Sequence, residues 1–243
     1  MINKKGEITT QQIILLIVLI ASFAIILFFI LNLDFKSTSD KEICHNSVAL
    51  RSASKNLVGK LDCNTNYVCI SGGGECSDIT VSETIEVDVE NKQEIMKAIA
   101  DEMVDCWWMF GEGELNYVSI TETPVEASVC GLCSVVKFDS KVVEESAQIT
   151  YREFYEYLAG LEKSGAESYL EYLYETSDVN LFQGNSPLEI DIDNSFLVGE
   201  DKYAIVTGYG KTWAFKDNYL PPHYLKLNQL SSSLNCVDYV TKA

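Results

Sequence analysis

The feature that most constrains this chain is an apolar run near its start, which reads IILLIVLIASFAIILFFILNL from Ile13 to Leu33. The run contains no charged residue, no Pro and no Gly. As an α-helix it extends roughly 30 Å, which matches the hydrocarbon thickness of a bilayer. Thr9 and Gln12 have the spacing of a capping box, which starts a helix just before the run. The sequence therefore predicts a transmembrane helix within residues 7–36.

The flanks of the run indicate its orientation. Lys4 and Lys5 precede it, whereas residues 34–42 carry a mixed and slightly acidic charge. Positive charge is retained on the cytoplasmic side of a membrane, so the N-terminus is expected in the cytoplasm. The apolar run ends without the small residues of a signal cleavage site, which favours retention of the helix. We therefore expect a single-pass protein of the cell membrane with an extracytoplasmic C-terminal domain.

The residues before the apolar run carry a family resemblance. They read Lys4-Lys5-Gly6 and then Glu7-Ile8-Thr9-Thr10-Gln11. This order resembles the class III signal peptide of archaeal type IV pilin-like proteins. The resemblance implies that a prepilin-type peptidase cuts between Gly6 and Glu7, so that residues 1–6 form the leader and Lys5 lies just before the cleavage position. It also implies that other pilin-like subunits are partners of the hydrophobic helix.

Two positions depart from the pattern of that family. The family often has Gln at the first mature position and Glu at the fifth, whereas this chain has Glu7 and Gln11. In pilins the fifth-position carboxylate is thought to pair with the free amino terminus of a neighbouring subunit. The Gln11 amide can form hydrogen bonds but cannot neutralise an amine. The sequence therefore predicts a membrane-anchored single protein or a minor component of a filament.

The net charge limits the partners of the outer part of the chain. The 243 residues carry a formal charge of −18 at pH 7. Such a surface repels phosphate backbones, which excludes nucleic acid as a partner. The expected consequence is an acidic, well-solvated exterior.

The cysteines indicate the compartment independently, because all eight lie beyond the apolar run. An even number of cysteines on the outer side of a membrane favours a disulfide framework. Eight cysteines allow 105 pairings, so the connectivity stays open. The candidates are Cys44, Cys63, Cys69, Cys76, Cys106, Cys130, Cys133 and Cys236.

Cys130 and Cys133 have two alternative interpretations. Their spacing is that of half a zinc site, but the other cysteines and the two histidines supply no second close pair. It is also the spacing of a thiol oxidoreductase, in which the first thiol begins a helix. Here the residues that follow, 134–138, are strand-like. The sequence favours structural disulfides over zinc binding and thiol exchange, and it predicts no metal and no cofactor.

The chain after the apolar run predicts an α+β fold in two segments. Residues 37–78 are expected to form a juxtamembrane helix and a cysteine-rich loop, and residues 79–243 an α+β domain. Capping residues predict the helices, and alternating apolar residues predict the strands. The predicted helices span residues 40–60, 91–110, 151–161 and 165–176, and the predicted strands 80–89, 135–138, 188–193 and 203–210.

Three short motifs contain residue types that can bind a partner or ligand. Trp107 and Trp108 end the predicted helix beside Cys106, and they are either core residues or an aromatic contact surface. Residues 72–74 are three glycines in a row, which we interpret as a turn because no Lys follows as in a phosphate-binding loop. Residues 191–194 contain acidic side chains, but they lack the glycine and the final glutamate of a calcium loop.

No motif of a hydrolase, a nucleotide-binding protein or a zinc protease occurs, so no catalytic residue is predicted. The leading hypothesis is a noncatalytic, surface-displayed protein, anchored by its N-terminal helix and presenting a disulfide-stabilised acidic domain. The alternative is a membrane-tethered thiol-disulfide oxidoreductase that uses Cys130 and Cys133.

Overall fold

A computed structural model describes residues 14–23, 35–54, 60–118, 128–146, 148–181, 191–210, 219–234 and 236–242. The chain divides into two compact units, Met1–Thr38 and Ser39–Ala243. In the first unit, residues 14–23 are helical and their large apolar side chains are more than half exposed. Within the residues that the structure describes, no helix has both the length and the apolar character needed to cross a membrane.

Part of the predicted transmembrane segment lies outside the described residues, as do Lys5, Gly6, Glu7 and Gln11, the residues of the predicted cleavage site.

The described helices and strands are interspersed along the chain from Phe35 onwards, with two short 3-10 turns among them. The helices are α1 (Phe35–Ala53), α2 (Lys92–Met109), α3 (Ser140–Ser146), α4 (Tyr151–Gly160), α5 (Tyr169–Tyr174) and α6 (Leu230–Leu234). The strands are β1 (Cys63–Asn64), β2 (Asn66–Ser71), β3 (Glu83–Glu86), β4 (Ser128–Phe138), β5 (Glu162–Ser164), β6 (Glu167–Ser168), β7 (Tyr203–Gly210), β8 (Tyr219–Lys226), β9 (Cys236–Tyr239) and β10 (Thr241–Lys242).

The main sheet has the strand order β3, β2, β4, β7, β8, with β9 beside the first residues of β4. β4 is the central strand, because it pairs in parallel with β2 and β9 along one side and antiparallel with β7 along the other. Two small sheets complete the unit, a parallel pair of β1 with β10 and an antiparallel hairpin of β5 with β6. The α+β fold predicted from the sequence is confirmed.

Apolar side chains fill both faces of the main sheet. The larger core joins α1, α2, α4 and α5 to one face and includes Val48, Ile99, Met103, Leu158 and Leu173, all at most 1 % exposed. A smaller core joins α6 to strand residues that include Ala204, Val206, Leu220 and Leu225. The sheet is therefore covered on both sides, as its mixed parallel topology requires.

Residues close to each other in sequence cap the helices. The Asn91 side chain accepts a hydrogen bond from the Gln93 amide at the start of α2. Thr150 and Glu153 form a reciprocal capping box at the start of α4. Such caps satisfy amide groups that have no partner within the helix.

The predicted helix at residues 165–176 is wrong at its start. Gly165 has φ +66° and turns the chain between β5 and β6, so residues 162–168 form a hairpin. α5 begins after Ser168, whose hydroxyl accepts from the Glu171 amide in a second capping box. The chain contains two consecutive Ser-x-x-Glu motifs, at residues 164–167 and 168–171, and only the second one caps a helix.

The predicted strand at residues 188–193 is also wrong at its described end. The Asp191 carboxylate accepts from the Asp193 and Asn194 amides, each at 3.2 Å, and closes a turn. Short acidic side chains favour such turns because they bond to the backbone two or three residues on. The earlier part of this prediction, residues 188–190, lies outside the described residues.

α1 also differs from its prediction, since it begins at Phe35 and ends at Ala53 rather than spanning residues 40–60. The predicted strands at 80–89 and 135–138 correspond to the shorter β3 and the longer β4. β7 matches its prediction at both ends.

β8 is the last strand of the main sheet, and within the described part of the chain it pairs only with β7. Pro221 and Pro222 lie at an irregularity of this pairing, between the partners of Val206 and Gly208. Proline has no amide hydrogen and is tolerated at such edge positions. The Tyr174 hydroxyl donates to the Pro222 carbonyl oxygen at 2.8 Å, which ties the strand to α5.

Candidate functional site: the junction of α1 with the rest of the domain

The eight cysteines form four disulfides, so the predicted disulfide framework is confirmed. Their Cα atoms are 4.3 to 5.8 Å apart. The pairs are Cys44–Cys63, Cys69–Cys76, Cys106–Cys133 and Cys130–Cys236.

The structure does not join Cys130 and Cys133 as one dithiol. Both lie on β4, but Cys133 is buried in the larger core and Cys130 in the smaller one. Cys133 bonds to Cys106 of α2, and Cys130 bonds to Cys236 of β9. Each sulfur is therefore used to fasten a different element to the sheet.

The Cys44–Cys63 disulfide fastens α1, the helix that follows the predicted anchor. It joins α1 to β1, with both sulfur-bearing residues 1 % exposed. One turn later on α1, Val48 is fully buried in the larger core. The inner face of α1 is thus part of the domain core rather than a linker.

A charged network reinforces this junction. The Lys41 ammonium donates to Glu102 Oε1 and Asp105 Oδ2 of α2, both at 2.7 Å. Glu102 is 4 % exposed, and its other oxygen accepts from the Ser134 hydroxyl of β4 at 2.6 Å. A buried carboxylate is tolerated when it is paired and hydrogen-bonded in this way.

The two charges of this network influence each other strongly. Burial alone would lower the pKa of Lys41, but the carboxylates of Glu102 and Asp105 raise it above its ordinary value. Burial raises the pKa of Glu102 even though Lys41 and Ser134 oppose this change. Lys41 therefore remains charged and supplies the partner that makes the burial of Glu102 tolerable.

Aromatic and backbone contacts extend the junction along α1. The His45 ring stacks on Trp108 with centroids 4.2 Å apart, and its Nδ1 lies 2.7 Å from the Trp108 carbonyl oxygen. The Arg51 side chain donates from Nε to the Tyr117 carbonyl oxygen at 2.7 Å. Trp107 is 4 % exposed, so the structure places both tryptophans in internal contacts.

Sequence reasoning missed Lys41, Glu102 and Arg51 as junction residues. One signal was present, since Glu102 falls between Ile99 and Cys106 on the apolar stripe of α2. A charge at helical spacing within an apolar stripe indicates a buried ionic partner.

Two of the three glycines of residues 72–74 bind an anion, but the anion is a carboxylate of the chain itself. The Asp139 carboxylate accepts from the Gly72 and Gly74 amides at 3.0 and 2.7 Å. It also accepts from the Ser71 hydroxyl and from the Val142 amide. A Cβ on Gly74 would lie 2.6 Å from Asp139 Oδ2, so glycine is needed there.

Burial alone would raise the pKa of Asp139, but these four donors hold it below its ordinary value. The loop is therefore a structural turn with an internal carboxylate, closed at its ends by the Cys69–Cys76 disulfide.

Acidic side chains gather elsewhere without forming a metal site. In the described residues, no group of three or more His, Cys, Asp or Glu side chains could hold a metal ion. An open groove beside α5 is lined by Glu167, Glu171 and Glu175 among others, and faces solvent.

The fold and this junction define a class: an acidic, four-disulfide α+β domain with an N-terminal helix built into its core. Comparison with family models, with curated proteins and with solved structures finds no match to this chain.

Proposed function

We propose that this chain is a noncatalytic, membrane-anchored, pilin-like protein that displays the disulfide-bonded domain outside the cell. The observation that carries the proposal is the helix at residues 14–23, whose large apolar side chains are 57 to 69 % exposed. Apolar side chains of a helix in water require a cover. The sequence continues apolar after this helix as far as Leu33, and the full run from Ile13 supports lipid as that cover.

The disulfides support the outward orientation of the domain. All four lie after the apolar run, and none of the eight cysteines is left unpaired. Structural disulfides persist in oxidising compartments outside the cytosol.

The junction supports a role in display. The segment that follows the predicted anchor is fastened to the domain by a disulfide, a buried ion pair and core packing. The inner face of α1 is therefore part of the domain that we propose is displayed, and α1 is not a free linker.

The sequence before the helix supports pilin-type processing. Lys5 and Gly6 provide a basic residue and a small residue before Glu7. We expect the mature protein from its native host to begin at Glu7, which N-terminal sequencing measures. A protein that begins at Met1 or Ile2 would contradict the processing step and leave an uncleaved signal anchor.

A Gly6→Val variant tests the cleavage position directly. We expect it to remain uncut but still membrane-bound, because residues 13–33 are unchanged. The matched control is Gly160→Val, at the end of α4, where an added Cβ meets no atom within 4 Å. That control should be processed normally, and equal processing of both variants would contradict a cut after Gly6.

Location requires a separate measurement. External protease added to intact cells should digest the domain of the wild-type protein after reduction, and fractionation should place the chain with membranes. Recovery of the unreduced chain in the soluble cytoplasmic fraction would overturn the proposal. Sheared material imaged by electron microscopy shows whether filaments form, and abundant filaments of this chain would show that Gln11 suffices for subunit packing.

A further inference from the structure

In the second unit, Ser39–Ala243, which we call the outer unit, the last strand β10 lies beside β1, the first described strand after α1. β1 and β10 pair in parallel, with Cys63 opposite Thr241 and Asn64 opposite Lys242. The Thr65 amide donates to the Lys242 carbonyl oxygen at 2.8 Å. The Lys242 ammonium lies 2.6 Å from Asp62, so the last strand is held by backbone and side-chain contacts together.

The parallel pairing of β1 with β10 determines how the unit responds to tension. Tension that enters through α1 reaches β1 through the Cys44–Cys63 disulfide, at the start of the strand. Tension at the C-terminus pulls β10 from its other end. Parallel strands pulled in this way slide past each other, so their hydrogen bonds bear the load together rather than one after another.

The four disulfides also determine which residues carry tension. A covalent path from Ser39 to Ala243 can cross all four disulfides in turn. This path leaves out most of the residues between the two ends. Residues 134–235, which we call the shielded segment, lie wholly inside the ring closed by Cys130–Cys236 and the short stretch from Cys130 to Cys133. The segment contains α3, α4, α5, β7 and β8.

We infer that the outer unit is a tension-bearing module, in which force between α1 and the C-terminus bypasses the shielded segment. If packing fails under load, about a quarter of the unit extends while the shielded segment stays slack within its disulfide ring. The inference deepens the proposed function, because an anchored domain is loaded through α1. The mechanical behaviour itself does not depend on a membrane.

Single-molecule force spectroscopy of the full chain tests this inference. Non-thiol handles at Ser39 and after Ala243 apply the load, and the measured quantity is the length between the handles after unfolding. At roughly 3.4 Å per residue, the oxidised chain should extend about 200 Å and the fully reduced chain about 700 Å. The wild-type measurement with and without reductant needs no variant to fold.

Paired cysteine variants then identify the bridge responsible. Replacing Cys130 and Cys236 with Ala should lengthen the oxidised extension by about 340 Å, because the shielded segment joins the load path. The matched control, Cys69 and Cys76 to Ala, should add only about 20 Å. A third variant, Thr241→Ala, removes the hydroxyl that accepts from the Leu132 amide and should lower the rupture force without changing the length.

The force measurements and the tests of the proposed function can fail independently of each other. Equal lengthening by the two paired variants, or an oxidised extension near that of the reduced chain, would overturn the bypass. Failure of the chain to fractionate with membranes would overturn the anchor and leave these lengths unchanged.

Discussion

At the scale of single residues, the stability of the domain depends on two titratable groups held in opposite environments. Asp139 is kept charged by four hydrogen-bond donors, and His223 is kept neutral by burial. Both have pKa values below their ordinary ones, so both stabilise the fold more at neutral pH than in acid. The windows of pH in which they act differ.

His223 should make stability fall between pH 6.5 and pH 4. It is 2 % exposed and its Nδ1 lies 2.7 Å from the Pro221 carbonyl oxygen, which accepts from the neutral ring. Burial lowers its pKa from 6.5 to about 4. The unfolded chain therefore binds a proton that the folded chain does not, and the free energy of unfolding falls by about 3 kcal/mol across this range.

The check is denaturant unfolding of wild type and His223→Asn at several pH values. The asparagine amide nitrogen takes the place of Nδ1 and can still donate to Pro221 but does not titrate, so the variant should lack this part of the pH dependence. Parallel curves for the two proteins would contradict the assignment.

Asp139 acts at lower pH. Its folded-state pKa lies below the ordinary value of 3.8, so its stabilisation is complete above that value and is lost as pH falls through the folded-state pKa. Asp139→Asn removes the charge from the glycine loop and should cost about 2 kcal/mol at pH 7. Thermal unfolding measures the loss, and Glu75→Gln, in the same loop but exposed, is the matched control. An equal cost for both variants would show that the glycine amides do not depend on the carboxylate.

At the scale of elements, the contact of α1 with α2 depends on a charge pair of unusual burial. Lys41→Met keeps most of the side-chain volume but leaves Glu102 charged and buried without its ammonium partner. Removing one member of such a pair should cost about 3 kcal/mol. The control is Lys97→Met, which breaks the Lys97–Asp101 pair on the exposed face of α2, at a cost of about 0.5 kcal/mol or less.

Chemical denaturation of both variants measures these costs. The double variant Lys41→Met with Glu102→Gln should recover part of the loss, because no buried charge is then left unpaired. Absence of recovery would place the effect in packing rather than in charge.

The elements that the sequence predicted well are those specified by neighbouring residues. Asn91 and Thr150 start α2 and α4 because their partners lie two or three residues away, and the apolar run of β7 identifies a buried strand by itself. β1 and β10 were not predicted, since each has two residues and exists only through a partner far along the chain. The contact of Lys41 with Glu102 was not predicted for the same reason, since the two residues are 61 positions apart in sequence.

The disulfides also depend on residues that are far apart in sequence. Their presence follows from the number and position of the cysteines, but their pairing does not. Residues three apart on one strand face opposite sides of a sheet, as Cys130 and Cys133 do. The sequence predicted a strand only at residues 135–138, whereas β4 begins at Ser128 and includes both cysteines.

At the scale of the whole molecule, the four disulfides should contribute unequally to stability. A bridge acts mainly by restricting the unfolded chain, so its effect grows with the loop that it closes. Cys130–Cys236 spans 106 residues and Cys69–Cys76 spans 7. Replacing each pair with Ala should cost about 5 and about 2 kcal/mol respectively.

Guanidinium unfolding under oxidising conditions measures these two costs, and nonreducing peptide mapping of the wild type checks the four pairings first. Equal costs would show that local packing, rather than loop closure, governs the contribution of each bridge.

The prolines of β8 affect how the sheets of neighbouring molecules can associate. A sheet edge with free amide groups invites a strand from a neighbouring molecule, and such pairing starts aggregation. At one edge of this sheet Pro221 and Pro222 have no amide hydrogen to offer, and the Pro222 carbonyl is already bonded to Tyr174. At the other edge β3 has only four residues and begins and ends with Glu83 and Glu86. Each of these edges therefore offers only a short or interrupted row of amide groups to a strand of another molecule, which disfavours pairing between the sheets of neighbouring copies.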